Sequence, residues 1–513
     1  MNINTQEKAI TVERWKVFEI SCTGKRDGNP FVDATIRGTF CCRQETVEVD
    51  GFYDGEGVYK VRFMPSFEEV YTYRIEGSFS GQVYEGSFEV VPACGQNHGM
   101  VRVSQTYHFA YEDGTPYYPF GTTCYVWQLQ KEETRRQTLD TLKQGYFNKI
   151  RFCIFPKHYI YNLHEPTTYP YVGTPVDSTK LTAENFAEFT GRREGNHFDY
   201  TYFNVEHFKA LDEAVCSLDQ LGIEADLILM HPYDRWGFSS MTREQDDLYW
   251  NYVMARYAAF KNVWWSFANE YDLMRDKTQK DWERFAEIVC RKDPYRHLRS
   301  IHNCGAFYDY NKPWITHCCI QRQSRFLTGE LVDEWRERFQ KPVIVDEIAY
   351  EGNLEFGWGN ISAEELVRRF WESACRGGYA GHGETYLWED GVIWWSHGGV
   401  LHGESPSRIR FLREFLQELP AAALSPASFC WDETAACEET RFPEKSCYLF
   451  YYGTQRPSFR SFYVDDSTLF KVEIVDTWEM TRTFCGTFCG RFQIALPAKP
   501  YILVYLCADR SAE

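Results

Sequence analysis

Between about residue 118 and residue 420 the chain repeats one rhythm: a short β-branched or aromatic run, a polar turn, then a longer stretch with apolar residues at helical spacing. A chain that alternates strand and helix has few ways to bury both. The strands must pair in parallel and the helices must cover them. Eight runs can be marked, at 118–125, 149–155, 225–230, 263–267, 299–302, 315–320, 343–346 and 383–387. Eight is the number that closes into a (β/α)8 TIM barrel. The intervening segments 205–221 and 363–375 carry helical periodicity and stop before Gly222 and before Gly377-Gly378, as helices do.

The flanks have a different period. From residue 11 to about 91, runs such as Tyr59-Lys60-Val61-Arg62-Phe63 alternate between Gly and Asp turns, the pattern of a small antiparallel, immunoglobulin-like sandwich. Residues 92–99 read as a linker. After Leu419-Pro420 short strands return at 447–452, 468–476, 492–496 and 501–506. The expected architecture is α/β, a barrel over 98–420 flanked by β-sandwiches over 1–97 and 421–513.

Two of the barrel runs end in acid. Val263-Trp264-Trp265-Ser266-Phe267-Ala268-Asn269-Glu270 closes the fourth, and Lys341-Pro342-Val343-Ile344-Val345-Asp346-Glu347 the seventh. A lone Glu after an apolar strand ordinarily starts a solvated loop. Here an Asn precedes the first, the second comes three β/α units later, and aromatic residues surround both. The C-terminal ends of barrel strands form the active face, and two carboxylates facing each other there are what glycosidic cleavage requires. Glu270 reads as acid/base and Glu347 as nucleophile, with Asn269 set to bond a sugar 2-hydroxyl. His302 after the fifth strand and Trp127, with Tyr125, after the first are candidates by position alone. Strand alternation separates Asp346 from Glu347 and predicts that they face opposite ways.

Composition narrows the partner. A formal charge of −18 lacks the basic patch that nucleic acid demands. Aromatics make up 17% of the chain, and flat rings suit the C–H faces of sugars. The start, Met1 to Lys8, lacks the apolar core of a secretory leader, and no apolar run is long enough to span a bilayer. The 18 cysteines are scattered through apolar segments without a disulfide rhythm or zinc spacing, so free thiols and a cytoplasmic location are expected. No His-x-His pair occurs among the 13 histidines, so neither metal nor cofactor is expected. A second copy of the chain stays open as a partner.

With these motifs the chain resembles the large clan of retaining (β/α)8 glycoside hydrolases (clan A), which carry Asn-Glu after strand four and Glu after strand seven. The sandwich, barrel, sandwich order resembles a glycosidase family with flanking domains of unknown function, and the likeness covers essentially the whole chain. The resemblance implies that Arg151 on strand two balances the nucleophile's charge and that His231 after strand three contacts the sugar. It also implies that Trp388 after strand eight is the aromatic platform. Where clan members place a His or Tyr on strand six, this chain offers His317 or Gln321.

The expected function is a retaining, exo-acting glycosidase trimming short oligosaccharides or glycosides. A barrel that binds carbohydrate without cutting it, and an endo-acting glycanase, stay open beside it.

Overall fold

The structure is a computed structural model that describes residues 10–79, 83–191, 193–420, 423–430, 433–438 and 447–509. Residues 1–8, read above for a leader, lie outside them. At its centre eight strands pair in parallel: β1 (Gly121–Thr123), β2 (Lys149–Cys153), β3 (Glu224–Met230), β4 (Val263–Ala268), β5 (Arg299–Ser300), β6 (Cys318–Gln321), β7 (Val343–Glu347) and β8 (Tyr379–His382). Their order is β5-β4-β3-β2-β1-β8-β7-β6. The seam between β5 and β6 is closed by a single parallel bridge from His302 to Cys319. The outer layer holds α1 (Glu132–Leu142), α2 (Val205–Gln220), α3 (Arg243–Tyr257), α4 (Gln279–Lys292), α5 (Val332–Phe339), α6 (Ala363–Cys375) and α7 (Ser405–Glu418). Thr242 and Gln245 form a capping box at the start of α3, and the Ser362 side chain caps α6, which satisfies amide groups the helices leave open.

One strand lies wholly outside its expected range. β8 is Tyr379–His382, not 383–387. Its Gly and Ala have weak strand propensity, yet Gly381 is needed there, because a β-carbon would lie 2.4 Å from the Asp346 carbonyl oxygen on β7. Glu384–Thr385 pairs outside the barrel with Glu351–Gly352.

Polar groups inside the barrel must find partners because both faces of its strands are covered. Lys149 bonds Asp226 at 2.6 Å and Asp346 at 2.8 Å, all three buried. Asp346 and Glu347 were expected on opposite faces. Both point to the barrel axis, since their partners Lys149 and Arg151 lie two residues apart on β2. A bulge supplies the reason: Cys319 to Gln321 on β6 spans Ile344 to Glu347 on β7, and the extra residue resets the alternation. A small sheet, Val101–Ser104, His108–Tyr111 and Pro116–Tyr117, closes the bottom. Its Phe109 packs on Trp264 and His317 with ring centroids 5.5 and 5.8 Å away.

The N-terminal unit is a sandwich of a five-stranded and a three-stranded sheet, with Phe40 stacked on Phe63 at 4.2 Å in its core. It docks on the barrel through Phe31, whose ring meets Tyr202, Phe203 and Tyr252 edge-on. The C-terminal unit is a six-stranded sheet over a two-stranded one, and Tyr451 and Tyr505 anchor it to Trp371 on α6 and Phe415 on α7. No described helix is long and apolar enough to cross a membrane. All 18 cysteines are unpaired.

Candidate active site

At the C-terminal end of the barrel, Glu270 and Glu347 are joined by one hydrogen-bonded network. Arg151 donates to Glu347 Oε1 at 3.2 Å and to Asn269 Oδ1 at 2.8 Å. Asn269 Nδ2 donates to Glu270 Oε2 at 3.1 Å. The Tyr125 hydroxyl donates to Glu347 and, at 3.2 Å, meets Asn269 Oδ1, while Tyr233 donates to Glu270. Each carboxylate thus holds one tyrosine hydroxyl, and Asn269 bridges the two halves.

Local structure explains how Glu270 comes to lie over the barrel mouth. The Asn269 amide still bonds the Met230 carbonyl at 2.9 Å, so β4 continues to that point. Glu270 then takes φ +51°, a left-handed conformation. For a non-glycine residue this costs about 1 kcal/mol or more and is concentrated at functional sites. The Tyr271 amide bonds the His302 carbonyl at 2.9 Å and secures the turn.

The electrostatics set Glu270 apart from its surroundings. Burial raises the Glu270 carboxyl above its ordinary range and the neighbouring Glu347 charge raises it further, while Tyr233, Lys157 and the Gln321 side chain oppose the shift. His302 accepts from the Glu270 amide at Nδ1 over 3.4 Å and places Nε2 3.8 Å from Glu347. Burial first, then Arg151, Lys149 and Lys157, hold this imidazole well below its usual range, so it is neutral. With Nδ1 accepting, the proton sits on Nε2, facing the carboxylate. His231 is buried, its Nε2 3.4 Å from the Phe155 carbonyl, and burial followed by the Lys157 charge pushes it down to about 3. Gln323 Nε2 lies 3.5 Å from the second Glu347 oxygen.

Of the residues singled out from sequence, Arg151, Asn269, Glu270, His302, Gln321 and Glu347 come together, with His231 at their edge. Three do not. His317 lies at the opposite end of the barrel, because β6 begins only at Cys318 and residue 317 falls on the floor against Phe109 and Trp264. Trp127 packs on Phe152, which alternates away from Arg151 toward the helices, and sits beside α1 and α2. Trp388 follows the misplaced strand. It is 53% exposed and stacks on His402 at 4.4 Å.

The tryptophan beside the carboxylates is Trp395, in the one-turn helix Trp394–His397, with its ring 5.2 Å from that of Tyr125. Lys157, Tyr159, Tyr233 and Trp358 complete the wall. None was singled out from sequence. Position just past β2 and β3 was the available signal for Lys157 and Tyr233; Trp395 had none without β8 in its true register. The segment between β2 and α2 carries a hairpin, Tyr171–Thr174 with His197–Phe203, and the rings of Tyr159 and Tyr161 near its start face Trp358.

Comparison with known proteins agrees with this fold. The profile of the apiosidase-like catalytic domain matches residues 104–421. Two domains of unknown function, DUF5060 and DUF5605, match residues 11–78 and 431–507. A solved structure from Bacteroides vulgatus, provisionally described as a glycoside hydrolase, is 36% identical. It covers 98% of this chain and 100% of its own, with a TM-score of 0.89. A family 5 glycoside hydrolase from the same organism and another glycoside hydrolase are each 16% identical. They cover 81% of this chain and 94% and 98% of their own, both at TM-score 0.59, which is likeness of fold. No curated protein matches.

Proposed function

The chain belongs to the apiosidase-like glycosidase family, and from that membership we propose that it hydrolyses its glycoside with retention, Glu347 as nucleophile and Glu270 as acid/base. The observation that carries this reading is the network in which Arg151 and Asn269 hold both carboxyls at the barrel mouth. Protonated Glu270 delivers its proton to the leaving oxygen while a Glu347 oxygen bonds the anomeric carbon. Glu270, now ionised, then takes a proton from the water that breaks the glycosyl ester. Arg151 and Tyr125 orient Glu347. One Asn269 N–H is taken by Glu270, which leaves the other for a sugar 2-hydroxyl. Trp395 takes the place of the platform.

Action from a chain end fits the enclosure. Glu270 and Glu347 are only 5% and 4% exposed, under a rim made by Tyr159, Tyr161 and Trp358. A cytoplasmic location accords with 18 unpaired thiols.

The test is a panel of aryl glycosides of pentoses (apiose included), hexoses and uronic acids. Wild type should release the aryl group from one anomer and yield a product of the same configuration by proton NMR. Glu270→Gln and Glu347→Gln should each lose about 10³-fold or more in kcat, within the range general acid and nucleophile removal produce. Inverted product, or equal rates in all three proteins, would overturn the assignment.

A further inference from the structure

Four lysines are buried among the described residues, and three of them hold aspartates directly. Lys149 bonds Asp226 and Asp346, Lys261 bonds Asp219 at 2.5 Å, and Lys277 bonds Asp246 at 2.6 Å. The fourth, Lys157, lies among rings. Its ammonium is 3.4 Å from the ring centre of Tyr125, 4.4 Å from those of Tyr233 and Trp395, and 5.6 Å from that of Tyr159, and ring faces attract a cation. Two of these rings lead to the carboxyls: the Tyr125 hydroxyl donates to Glu347 and the Tyr233 hydroxyl to Glu270. One cation thus rests on a partner of each.

The other cations of the barrel are engaged elsewhere, Arg151 by Glu347 and Asn269 and Lys149 by its two aspartates. It is Lys157 that opposes, by charge, the rise that burial and Glu347 impose on Glu270. Burial pushes the ammonium itself down to about 8, with the Glu270 and Glu347 charges among the groups that oppose this, so it is charged at neutral pH. Burial also keeps the neighbouring tyrosines, Tyr350 included, and the thiols of Cys153 and Cys304 protonated, and His231 and His302 neutral. Retention needs Glu270 in two forms, protonated when the leaving group departs and ionised when water attacks the ester. In the ester Glu347 carries no charge, so its repulsion is gone, and a cation beside Glu270 favours the carboxylate. We propose that Lys157 is a positioning residue for the acid/base: held on the rings of the two tyrosines that bond the carboxyls, it is the counter-charge that Glu270 faces when it acts as base. The inference rests on the glycosidase reading for the two forms of Glu270, but not on turnover for its test.

The full chain, made with carboxyl-labelled glutamate, can be titrated by carbon NMR, with the Glu270 signal identified by its loss in Glu270→Gln. Lys157→Met, or Lys157→Gln should the first not fold by circular dichroism, should raise the Glu270 midpoint by about one pH unit, as loss of a nearby opposite charge does. Lys157→Arg keeps the charge and should hold the midpoint near the wild-type value. Coupling between two sites is reciprocal, so Glu270→Gln should in turn lower the Lys157 midpoint, followed with labelled lysine; this arm decides if neither neutral variant folds. On any aryl glycoside that is cleaved, the alkaline limb of kcat/KM should move up in Lys157→Met and return in Lys157→Arg. A Glu270 midpoint that stays or falls in the neutral variants would overturn the proposal, as would an equal rise in Lys157→Arg, which would trace the effect to packing. If glycosides are cleaved while the Glu270 midpoint ignores Lys157, the proposal fails and the glycosidase reading stands. If the midpoint follows Lys157 and nothing is cleaved, the reverse holds.

Discussion

Two carboxyls inside one barrel mouth do different work only if their surroundings differ, and at the scale of single residues the difference lies in their partners. Glu347 has a guanidinium and a tyrosine hydroxyl; Glu270 has a tyrosine hydroxyl, an amide and little else against its burial. Tyr233 opposes the upward shift of Glu270 because its hydrogen bond favours the charged form. Tyr233→Phe should therefore raise the Glu270 value further. Since the acid must be protonated to act, the alkaline limb of the kcat/KM profile should move to higher pH, which initial rates across pH would show. An alkaline limb that stays put or moves down would exclude Glu270 as the group behind it. Glu270, Asn269 and Glu347 were legible because each ends a recognisable strand. Lys157, Tyr233 and Trp395 were not, because each lies past a strand end in a segment whose path is set by packing against distant rings.

At the scale of elements, the barrel is tied across its axis by Lys149 on β2, Asp226 on β3 and Asp346 on β7. Removing Lys149 leaves two buried carboxylates without their shared cation, at a cost of about 3–5 kcal/mol. Lys149→Met should lower the thermal midpoint by several degrees in calorimetry, and an unchanged midpoint would show that the cluster adds no net stability. Glu224 on β3 behaves oppositely. Burial raises it to about 8, against the bond from Trp264 Nε1 at 2.9 Å. Its value in the unfolded chain is near 4.3, so the unfolded state releases this proton first and the residue costs stability increasingly as pH climbs from there to about 8. Glu224→Gln keeps an acceptor for Trp264 and should raise the midpoint at pH 8 more than at pH 5. Equal effects at both would mean the carboxyl is not the cause. The alternation rule misplaced Asp346 because one bulged residue on β7 escapes any two-residue period, and β8 was misread because its Gly and Ala do not look like strand.

For the whole molecule, the sandwich and the barrel share a buried ionic joint. Arg256 on α3 grips Asp212 on α2 with two bonds, at 2.9 and 2.8 Å, and reaches Asp54 of the N-terminal sandwich at 2.8 Å. Arg62 of the sandwich completes the set on Asp212 at 2.7 Å. Arg256→Met should destabilise the chain by about 3–5 kcal/mol and separate the sandwich from the barrel in thermal unfolding, with kcat unchanged because the joint is remote from the carboxyls. A single unaltered transition would mean that the aromatic contacts around Phe31 hold the two units together without it.

Hydrophobic period and turn chemistry are local, so the sequence by itself determined the sandwich, barrel, sandwich plan and the strands on which Glu270 and Glu347 end. A barrel's two ends look alike in a strand of a few residues, and only the tertiary structure decided that His317 lies on the floor. It also decided which tryptophan packs on Tyr125, that a bulge turns Asp346 and Glu347 the same way, and that Lys157 lies among aromatic rings. These outcomes depend on register, loop paths and charge pairing between segments far apart in the chain, and no short-range pattern encodes them.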